Sequence, residues 1–451
     1  MSKIFGTDGI RCLVNEEPLS AETCLKISKT VAFLLKKKNS QTSRVVICKD
    51  TRLSGYLYEP LVTAGFISMG MDVILVGPLP TPAVPLMIKT LRADIGVMIT
   101  ASHNTYEYNG LKFFDSTGSK LSSLIEQKVE KIVLDNKKYS KISNKTFVSG
   151  NARRLEDASG RYSEFLKSTL TKTSSKRKLK IVLDCANGAT YNIAPNLFWE
   201  LGHNIIAINN NPDGLNINKN CGAVDVKSLS QNVIKEKADI GFAFDGDGDR
   251  LIVVDEEGKE VDGDKIIGLL CKSYVKPKKK SNQHDVIITV MSNMGLENYL
   301  TNKLKLKTKR TAVGDINVIN QMKKSKSIIG GEQSGHIILS EHSNTGDGIL
   351  AALKITEILI SNKNKASKLF DLYNDFAQEK INLSYKTKNT KLLKILDKLK
   401  NDKLYNNKKI RSLVRLSGTE PLVRILVEGQ EVTEVKKKSL EIKKLVRPYL
   451  G

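Results

Sequence analysis

The stretch DIGVMITASHNTYEYNGLKFF, residues 94–114, joins an apolar run to a loop of reactive polar side chains. The run DIGVMI contains β-branched residues and predicts a buried strand. Ser102, His103 and Asn104 follow the strand, and Lys112 comes a few residues later. A polar loop that only caps a strand would also explain this pattern. The stretch by itself therefore leaves a structural and a catalytic interpretation open.

Strand and helix signals alternate on both sides of this stretch. RVVICKD and MDVILVG predict strands, and the helical periodicity of GYLYEPLVTAGFISMG lies between them. The same order of elements restarts after the polar segment 136–158 and again after Asp245. We therefore predict an α/β fold with three similar mixed or parallel-sheet domains around a cleft, followed by a smaller C-terminal α+β domain. The expected domains are 1–150, 151–256, 257–365 and 372–451, with the Asn- and Lys-rich segment 361–368 as a linker.

Composition narrows the class of protein. The chain has 451 residues, which is too many for one hydrophobic core, and 40% of them are hydrophobic. The sequence has no apolar run long enough to span a bilayer and no apolar signal segment at its start. The six cysteines form no CxxC pair, and the five histidines have no zinc-site spacing. We expect a cytoplasmic protein without a membrane partner, as a monomer or homodimer.

The net charge of +24 raises the question of nucleic-acid binding. The lysines are distributed over helical and loop segments, and aromatic residues make up only 6% of the chain. No base-stacking or zinc-finger motif accompanies the charge. We therefore interpret the lysines as solvated faces that favour anionic substrates, and we expect no nucleic-acid partner.

A second strand-like run, ADIGFAFD, leads into DGDGDR at residues 245–250. Asp245, Asp247 and Asp249 alternate, so in an extended chain they point to one side, and the glycines let the backbone curve around an ion. Three hard oxygen ligands suit Mg²⁺. An EF-hand calcium site is disfavoured because the closing glutamate is missing and the flanks are strands. An acidic turn without a metal is the alternative.

Two further loops carry groups that suit a phosphosugar. GGEQSGH, residues 330–336, places a carboxylate and a hydroxyl at alternate positions, Glu332 and Ser334, where both could contact sugar hydroxyls. RLSGTEPLVR, residues 415–424, combines guanidinium groups with hydroxyl and backbone donors that suit phosphate. Its candidate residues are Arg415, Ser417, Gly418, Thr419 and Arg424. A Gly-rich turn and a polar hairpin are the alternatives, but the four clusters together favour phosphoryl transfer on a phosphosugar.

The order of the motifs resembles that of the α-D-phosphohexomutases over essentially the whole chain. The matching segments are KIFGTDGIR, ITASHNTYEYNGLKFF, DGDGDR, GGEQSGH followed by TGDG, and RLSGTEPLVR. GTDGIR and GEQSGH are most similar to the bacterial members that interconvert glucosamine 6-phosphate and glucosamine 1-phosphate for UDP-N-acetylglucosamine and peptidoglycan precursor synthesis. Members that act on mannose or glucose phosphates are the nearest alternative. A basic nucleic-acid-binding protein is the alternative from another class.

The resemblance implies a phosphoryl carrier and a metal. Ser102, exposed at the cleft, would hold a phosphoryl group in the active enzyme and exchange it with the sugar through a bisphosphate intermediate. One Mg²⁺ per subunit would be bound by Ser102, Asp245, Asp247 and Asp249. This ion would neutralise charge on the transferred group.

The resemblance also implies roles for the remaining candidates. Lys112 would be the general acid/base, for which we expect a lowered pKa. The phosphoryl group would be oriented and neutralised by Arg11, His103 and Arg250. Glu332 and Ser334 would hold the sugar hydroxyls, and the loop at 415–424 would hold the phosphate that is not transferred.

The chain departs from the family pattern at four positions. Cys12 stands where glycine usually follows GTDGIR, and Thr105 where proline usually follows SHN. In AVGDINVI, Ile316 and Asn317 follow VGD, where a basic residue is common. We therefore expect this last loop to lack the usual phosphate contact.

Overall fold

The computed structural model describes residues 4–6, 8–36, 43–143, 148–171, 177–274, 285–386, 389–407, 409–417 and 421–451. Gly418 and Thr419 lie outside the described residues. The contacts divide the chain into two compact units. The first comprises Met1–Thr289 and Leu306–Asp371, and the second comprises Val290–Lys305 and Leu372–Gly451.

A six-stranded sheet forms the N-terminal part of the first unit. Its elements are β1 (Ile10–Leu13), α1 (Ala21–Leu35), β2 (Arg44–Lys49), α2 (Gly55–Ser68), β3 (Asp72–Pro78), α3 (Ala83–Leu91), β4 (Ile95–Ile99), β5 (Tyr108–Phe114), α4 (Ser123–Val133), α5 (Asn136–Ser143) and β6 (Ala152–Arg154). The strand order is β1-β5-β4-β2-β3-β6. β5 runs antiparallel to both β4 and β1, whereas β2, β3, β4 and β6 are parallel. The alternation of strands and helices did not predict this antiparallel edge.

Gly110 allows the edge strands to approach closely. A Cβ atom at this position would lie 2.4 Å from the carbonyl oxygen of Ile10 and 2.5 Å from that of Thr100. Only glycine fits between two backbones at that spacing. The close approach brings the residues after β4 next to the N-terminal segment that contains Arg11.

A five-stranded sheet follows in the same unit. Its elements are α6 (Ala158–Ser168), β7 (Lys180–Asp184), α7 (Ile193–Glu200), β8 (Asn204–Ile208), α8 (Lys227–Glu236), β9 (Ile240–Phe244), β10 (Leu251–Asp255) and β11 (Glu260–Val261). The strand order is β11-β10-β9-β7-β8. β9 and β10 form an antiparallel pair in which every residue is buried, and the turn between them is 245–250.

A four-stranded sheet completes the first unit. The next elements in chain order are α9 (Gly263–Tyr274), β12 (Val286–Thr289), α10 (Met294–Asn298), β13 (Thr308–Thr311), α11 (Asp315–Ser325), β14 (Ile329–Gly331), β15 (Ile337–Leu339), α12 (Gly348–Asn362) and α13 (Ala366–Phe370). The strand order is β13-β12-β14-β15. α10 and the rest of 290–305 belong to the second unit, although the predicted domain 257–365 contains them.

The expected linker at 361–368 is wrong. α12 continues to Asn362 and α13 begins at Ala366, so most of this segment is helical. The backbone N–H and the hydroxyl of Ser367 donate to Glu256 at 2.9 and 2.6 Å. The division between the units falls after Asp371 instead. Asn and Lys content indicated solvent exposure, which a helix can also have.

The second unit contains a three-stranded antiparallel sheet, β16-β18-β17, covered by two helices. Its elements are β16 (Ala377–Ser384), α14 (Thr390–Asn401), β17 (Ile410–Leu416), β18 (Leu422–Gly429) and α15 (Val432–Val446). Leu392, Ile410, Val423 and Ile442 lie in its core. The fold class predicted from the sequence is confirmed, since three α/β sheets precede a smaller α+β region. Among the helices described, none is both long enough and apolar enough to cross a membrane.

Candidate active site

Ser102 lies just beyond β4, at the carboxyl end of that strand. Its hydroxyl donates a hydrogen bond to Asp245 Oδ2 at 2.8 Å, although the two residues are 143 positions apart in the chain. Only 1% of the residue is exposed, so the expectation of an exposed serine is wrong for this structure. Asp245 lies in the turn that follows β9, so this turn both buries the Ser102 hydroxyl and accepts its hydrogen bond.

The three aspartates of DGDGDR converge beside Ser102. Gly248, with φ +69°, and the hydrogen bond from its N–H to the Asp245 carbonyl at 3.0 Å form a turn in this segment. One oxygen from each carboxylate lies within 4.8 Å of the others, and all three residues are buried. The alternation argument assumed an extended chain, whereas a glycine-containing turn brings the three side chains together.

The oxygen atoms of this aspartate cluster fit a metal ion. Asp247 Oδ1 and Asp249 Oδ1 are buried and have no hydrogen-bond donor among the described residues. A buried carboxylate oxygen without a donor is costly unless it binds a cation. The oxygen-only donor set is the one that hard divalent cations prefer. The residues therefore fit a divalent metal site.

Charge is distributed unequally within the cluster. Burial raises the pKa of Asp245 well above its usual value, and the charges of Asp249 and Asp247 add to this effect. Burial also opposes the charge of Asp247, but the nearby Lys112 ammonium and its hydrogen bond lower the pKa of Asp247. The two carboxylates are thus distinguished by Lys112 Nζ, which lies 2.8 Å from Asp247 Oδ2.

Lys112 is a buried cation surrounded by carboxylates. Its Nζ lies 2.8 Å from Asp247 Oδ2, 3.2 Å from Asp249 Oδ2 and 3.0 Å from Asp8 Oδ2. Burial disfavours the charge, but these acids outweigh it and raise the pKa of Lys112 well above its ordinary value. The expected lowering of this pKa is therefore wrong. The acids that raise it come from segments far away in the sequence, so the local pattern did not indicate them.

Of the remaining phosphoryl-binding candidates, His103 contacts the Ser102 hydroxyl, whereas Arg11 and Arg250 contact residues near it. His103 Nδ1 is 3.4 Å from Ser102 Oγ, and burial together with the charges of Arg250 and Arg11 lowers the pKa of His103 to about 3. This histidine is therefore neutral near pH 7 and offers a hydrogen bond instead of a charge. Arg11 donates to Asn104 Oδ1 and Asp8 Oδ2, both at 3.2 Å. Arg250 Nε lies 3.9 Å from Asp245 Oδ2.

The two candidates of the sugar-binding loop, Glu332 and Ser334, differ in their exposure to solvent. β14 ends at Gly331, and a hydrogen bond from the Gly335 N–H to the Glu332 carbonyl closes a turn. Glu332 is buried and its Oε1 accepts from the Gly314 N–H at 3.0 Å, while Ser334 is exposed. The period-two argument that placed both side chains on one ligand fails here, since residues 332–335 are not a strand.

The second unit contains the candidate phosphate loop. Arg415 of β17 and Arg424 of β18 are directly opposite each other in the antiparallel pair. Burial lowers the pKa of Arg415, and the charge of Arg424 contributes to this effect. The Ser417 N–H donates to the Leu422 carbonyl at 2.7 Å and closes the hairpin. Two opposed guanidinium groups at a hairpin end form a suitable binding site for an anion.

Two residues that support Ser102 were not among the predicted ones. Arg52 and Asn218 both donate to the carbonyl oxygen of Ser102, at 3.0 and 2.8 Å. Arg52 follows β2, so the strand-end rule that found Ser102 could also have found it. Asn218 lies in a long loop, 209–221, and no sequence pattern marks it.

Four family models match the chain in sequence order. They describe phosphoglucomutase/phosphomannomutase α/β/α domain I at residues 2–140, domain II at 160–258, domain III at 262–376 and the C-terminal domain at 381–444. The chain belongs to the phosphoglucomutase/phosphomannomutase family. The family membership inferred from the motifs is thereby confirmed, and the protein is an enzyme of the phosphomutase type.

Curated relatives in this family match over nearly their whole length. The phosphoglucosamine mutase of Granulibacter bethesdensis is 46% identical over 438 residues, which is 96% of this chain and 94% of the relative. The phosphoglucosamine mutase of Thermodesulfovibrio yellowstonii is 44% identical over 438 residues, or 96% of each protein.

Solved structures of the family share the fold. A phosphoglucomutase/phosphomannomutase family protein from Burkholderia thailandensis matches with a TM-score of 0.85 at 23% identity, over 100% of this chain and 98% of that one. The Aspergillus fumigatus N-acetylphosphoglucosamine mutase, solved in complex with GlcNAc-6P and magnesium, matches with a TM-score of 0.66 at 18% identity, over 99% and 96%. At these identities the likeness establishes the fold.

Proposed function

We propose that this phosphomutase interconverts glucosamine 6-phosphate and glucosamine 1-phosphate, the reaction that supplies UDP-N-acetylglucosamine and peptidoglycan precursor synthesis. The names of the relatives at 46% and 44% identity support this substrate. The observation that carries the chemistry is the 2.8 Å hydrogen bond between Ser102 Oγ and Asp245 at the edge of the carboxylate cluster. A nucleophilic hydroxyl beside a metal-binding site is the arrangement that phosphoryl transfer needs.

In this proposal Ser102 carries the phosphoryl group in the active enzyme. A sugar hydroxyl attacks phosphorus, the bond from phosphorus to Ser102 Oγ breaks, and the new P–O bond gives a glucosamine bisphosphate. Ser102 Oγ takes up a proton from the Lys112 ammonium, and the proton that the sugar hydroxyl loses restores that ammonium. The bisphosphate then returns its other phosphate to Ser102, so the enzyme is regenerated. Asp245, Asp247 and Asp249 would hold Mg²⁺, together with an oxygen of phosphorylated Ser102. When bound, the ion neutralises negative charge on the transferred group.

Lys112 takes the role of a cationic proton donor. Its raised pKa means that the ammonium form is present near pH 7, so it can neutralise a phosphate oxygen and donate to a departing one. Lys112 could act as a general base only if other cations paired with the carboxylates around it, because these carboxylates raise its pKa. His103 serves as a neutral hydrogen-bonding group, and Arg11 and Arg250 supply positive charge to the phosphoryl group.

Substrate binding is assigned to two loops. Glu332 and Ser334 would hold sugar hydroxyls, with Glu332 leaving the Gly314 N–H that it now accepts from. The opposed guanidinium groups of Arg415 and Arg424 would bind the phosphate that is not being transferred, because an anion between them relieves their repulsion. Ser417, Gly418 and Thr419 would add hydrogen bonds to the same phosphate.

Rates on three substrates test the proposed function. Purified protein is assayed in the presence of Mg²⁺ and catalytic bisphosphate with glucosamine 6-phosphate, glucose 6-phosphate and mannose 6-phosphate. We expect the highest kcat/KM for glucosamine 6-phosphate. A higher value for mannose or glucose phosphate would replace the substrate assignment, and no turnover on any of the three would contradict the phosphohexose mutase activity.

A further inference from the structure

Ser102 adopts a backbone conformation that its own residue type disfavours. Its φ is +52°, in the left-handed region that side chains other than glycine, asparagine and aspartate rarely occupy. Such a conformation costs energy and persists only when surrounding groups hold it. The hydroxyl of Ser102 reaches Asp245 from this conformation. What holds the backbone therefore also determines the direction of the reactive hydroxyl.

Arg52 holds the loop from the side of the first sheet. Its side chain is fully buried and donates to the carbonyl oxygens of Ser102 at 3.0 Å, Asn104 at 2.7 Å and Tyr108 at 3.0 Å, and also to that of Thr105. One planar guanidinium group thus binds three carbonyls of the loop after β4 and that of the first residue of β5. This rigid fork has few alternative orientations.

Asp50 fixes Arg52 and reaches the same loop by a second route. Arg52 Nε donates to Asp50 Oδ2 at 2.8 Å, and the Thr100 hydroxyl donates to the same oxygen at 2.6 Å. Thr100 Oγ1 in turn accepts from the Ser102 N–H at 2.9 Å. The charge of Arg52 is therefore paired with Asp50, and its terminal N–H groups all donate to backbone carbonyls. Arg52 thus stabilises the loop and is not available to bind a phosphate.

Asn218 holds the same loop from the five-stranded sheet domain. Its Nδ2 donates to the carbonyl oxygens of Ser102 and Asn104, each at 2.8 Å. These are two of the carbonyls that Arg52 binds. Gly246 of the aspartate turn lies against this contact, since a Cβ there would be 2.6 Å from both Asn218 Nδ2 and the Ser102 carbonyl oxygen. The serine loop, Asn218 and the aspartate turn therefore share one packed junction.

We propose that Arg52 and Asn218 are positioning residues that clamp the Ser102 and Asn104 carbonyls from two domains and so aim the Ser102 hydroxyl at the aspartate cluster. The inference rests on the proposed phosphoserine function. A hydroxyl released from this clamp can rotate away from Asp245 and from the transferred phosphoryl group. Misplacement of a reacting atom by about 1 Å can cost about 100-fold in rate, even when substrate binding is unchanged.

The test separates rate from folding by single-turnover phosphoryl transfer. Dephosphorylated enzyme with Mg²⁺ is mixed with glucosamine 1,6-bisphosphate labelled in its phosphates, and both the rate constant and the amplitude of Ser102 labelling are measured. The variants are Asn218→Asp, Asn218→Ala and Arg52→Lys. Asn218→Asp replaces the amide donor with a carboxylate, which repels the two carbonyl oxygens. The matched controls are Asn196→Asp and Arg161→Lys, which change exposed residues.

We expect the Asn218 variants to lower the rate constant about 10- to 100-fold, with the amplitude within about twofold of wild type. Arg52→Lys should act in the same direction, and if it does not fold the Asn218 variants decide. A purely structural role would instead lower the amplitude and leave the rate constant of the labelled fraction unchanged, which would overturn the proposal. If wild-type enzyme itself takes up no label on Ser102, the phosphoserine function fails, and the two failures are distinguished.

Discussion

The charges of the aspartate cluster beside Ser102 are buried and paired with a cation, whereas the arginine pair of the second unit consists of two half-buried like charges. In the first, Lys112 lies within 3.2 Å of three carboxylates, so opposite charges are paired before any ligand binds. In the second, Arg415 and Arg424 are like charges on adjacent strands. Paired charges keep a reactive group in a fixed position, whereas opposed like charges favour the binding of an anion. One region is suited to chemistry and the other to holding a phosphate.

Replacing Ser102 tests whether the region of the aspartate cluster carries out the chemistry. Ser102→Ala should lower turnover by at least about 10³-fold, because it removes the hydroxyl that is proposed to carry the phosphoryl group beside Asp245. The coupled mutase assay and the intact mass of the purified protein measure the effect. The control is Ser168→Ala, on the exposed face of α6. A Ser102→Ala enzyme that keeps near-normal turnover would exclude the phosphoserine mechanism.

Two substitutions test the different charge states of Asp245 and Asp247 in the aspartate cluster. Asp245→Asn and Asp247→Asn should each lower activity by about 100-fold or more, because each removes a proposed ligand of Mg²⁺. In metal-free protein their effects on stability should be opposite. The folded-state pKa of Asp245 is raised, so at pH 7 its charge destabilises the fold and Asp245→Asn should raise Tm.

The folded-state pKa of Asp247 is lowered, so its charge stabilises the fold above the unfolded pKa and this contribution is lost as pH falls. Asp247→Asn should therefore lower Tm at pH 7. The loss in free energy of unfolding should be smaller than the roughly 3–5 kcal/mol of a fully broken buried pair, since Lys112 keeps Asp249 and Asp8. Thermal unfolding with a chelator present measures both variants. Equal shifts of the same sign would contradict the charge assignment.

Arg424→Ala tests the proposed binding of phosphate by the hairpin of β17 and β18. The loss of one charged hydrogen bond should weaken substrate binding by about 1.5–3 kcal/mol, which raises KM and releases free bisphosphate during turnover. Ser102 should still be labelled by bisphosphate at high concentration. Arg447→Ala, an exposed arginine of the same unit, is the control. Unchanged KM and unchanged bisphosphate release would show that this hairpin is only a polar turn.

Asp347 is a buried carboxylate that accepts hydrogen bonds from neutral donors. Its oxygens accept from the Tyr162 hydroxyl at 2.8 Å and the Leu350 N–H at 2.9 Å, and burial raises its pKa to about 6. A raised folded-state pKa gives stability that is present below about pH 4 and is lost as pH rises through about 6.

Asp347→Asn should remove this pH dependence and raise Tm at pH 7.5 by a few degrees, with little change near pH 4.5. Thermal unfolding at several pH values measures it, with exposed Asp213→Asn as the control. Equal Tm values for wild type and Asp347→Asn at pH 7.5 would show that the charge of Asp347 does not destabilise the fold.

The sequence predicted the features that depend on local pattern. Strand ends located Ser102 and Asp245, and turn residues explained how the aspartates converge. The structure of the 332–335 turn was missed, since alternation of Glu332 and Ser334 along the chain is the same in a strand and in a turn. The charge state of Lys112 was also missed. It depends on acids up to 137 residues away, which no local pattern reports.

The most direct measurement of the central claim is the site of phosphoryl transfer. Wild-type enzyme with Mg²⁺ is incubated with labelled glucosamine 1,6-bisphosphate, digested and examined by peptide mass spectrometry, in parallel with Ser102→Ala. The account predicts that label is found on Ser102, that glucosamine 6-phosphate removes it as bisphosphate, and that the variant takes up none. Turnover of glucosamine 6-phosphate with label on another residue, or with no labelled residue at all, would contradict it.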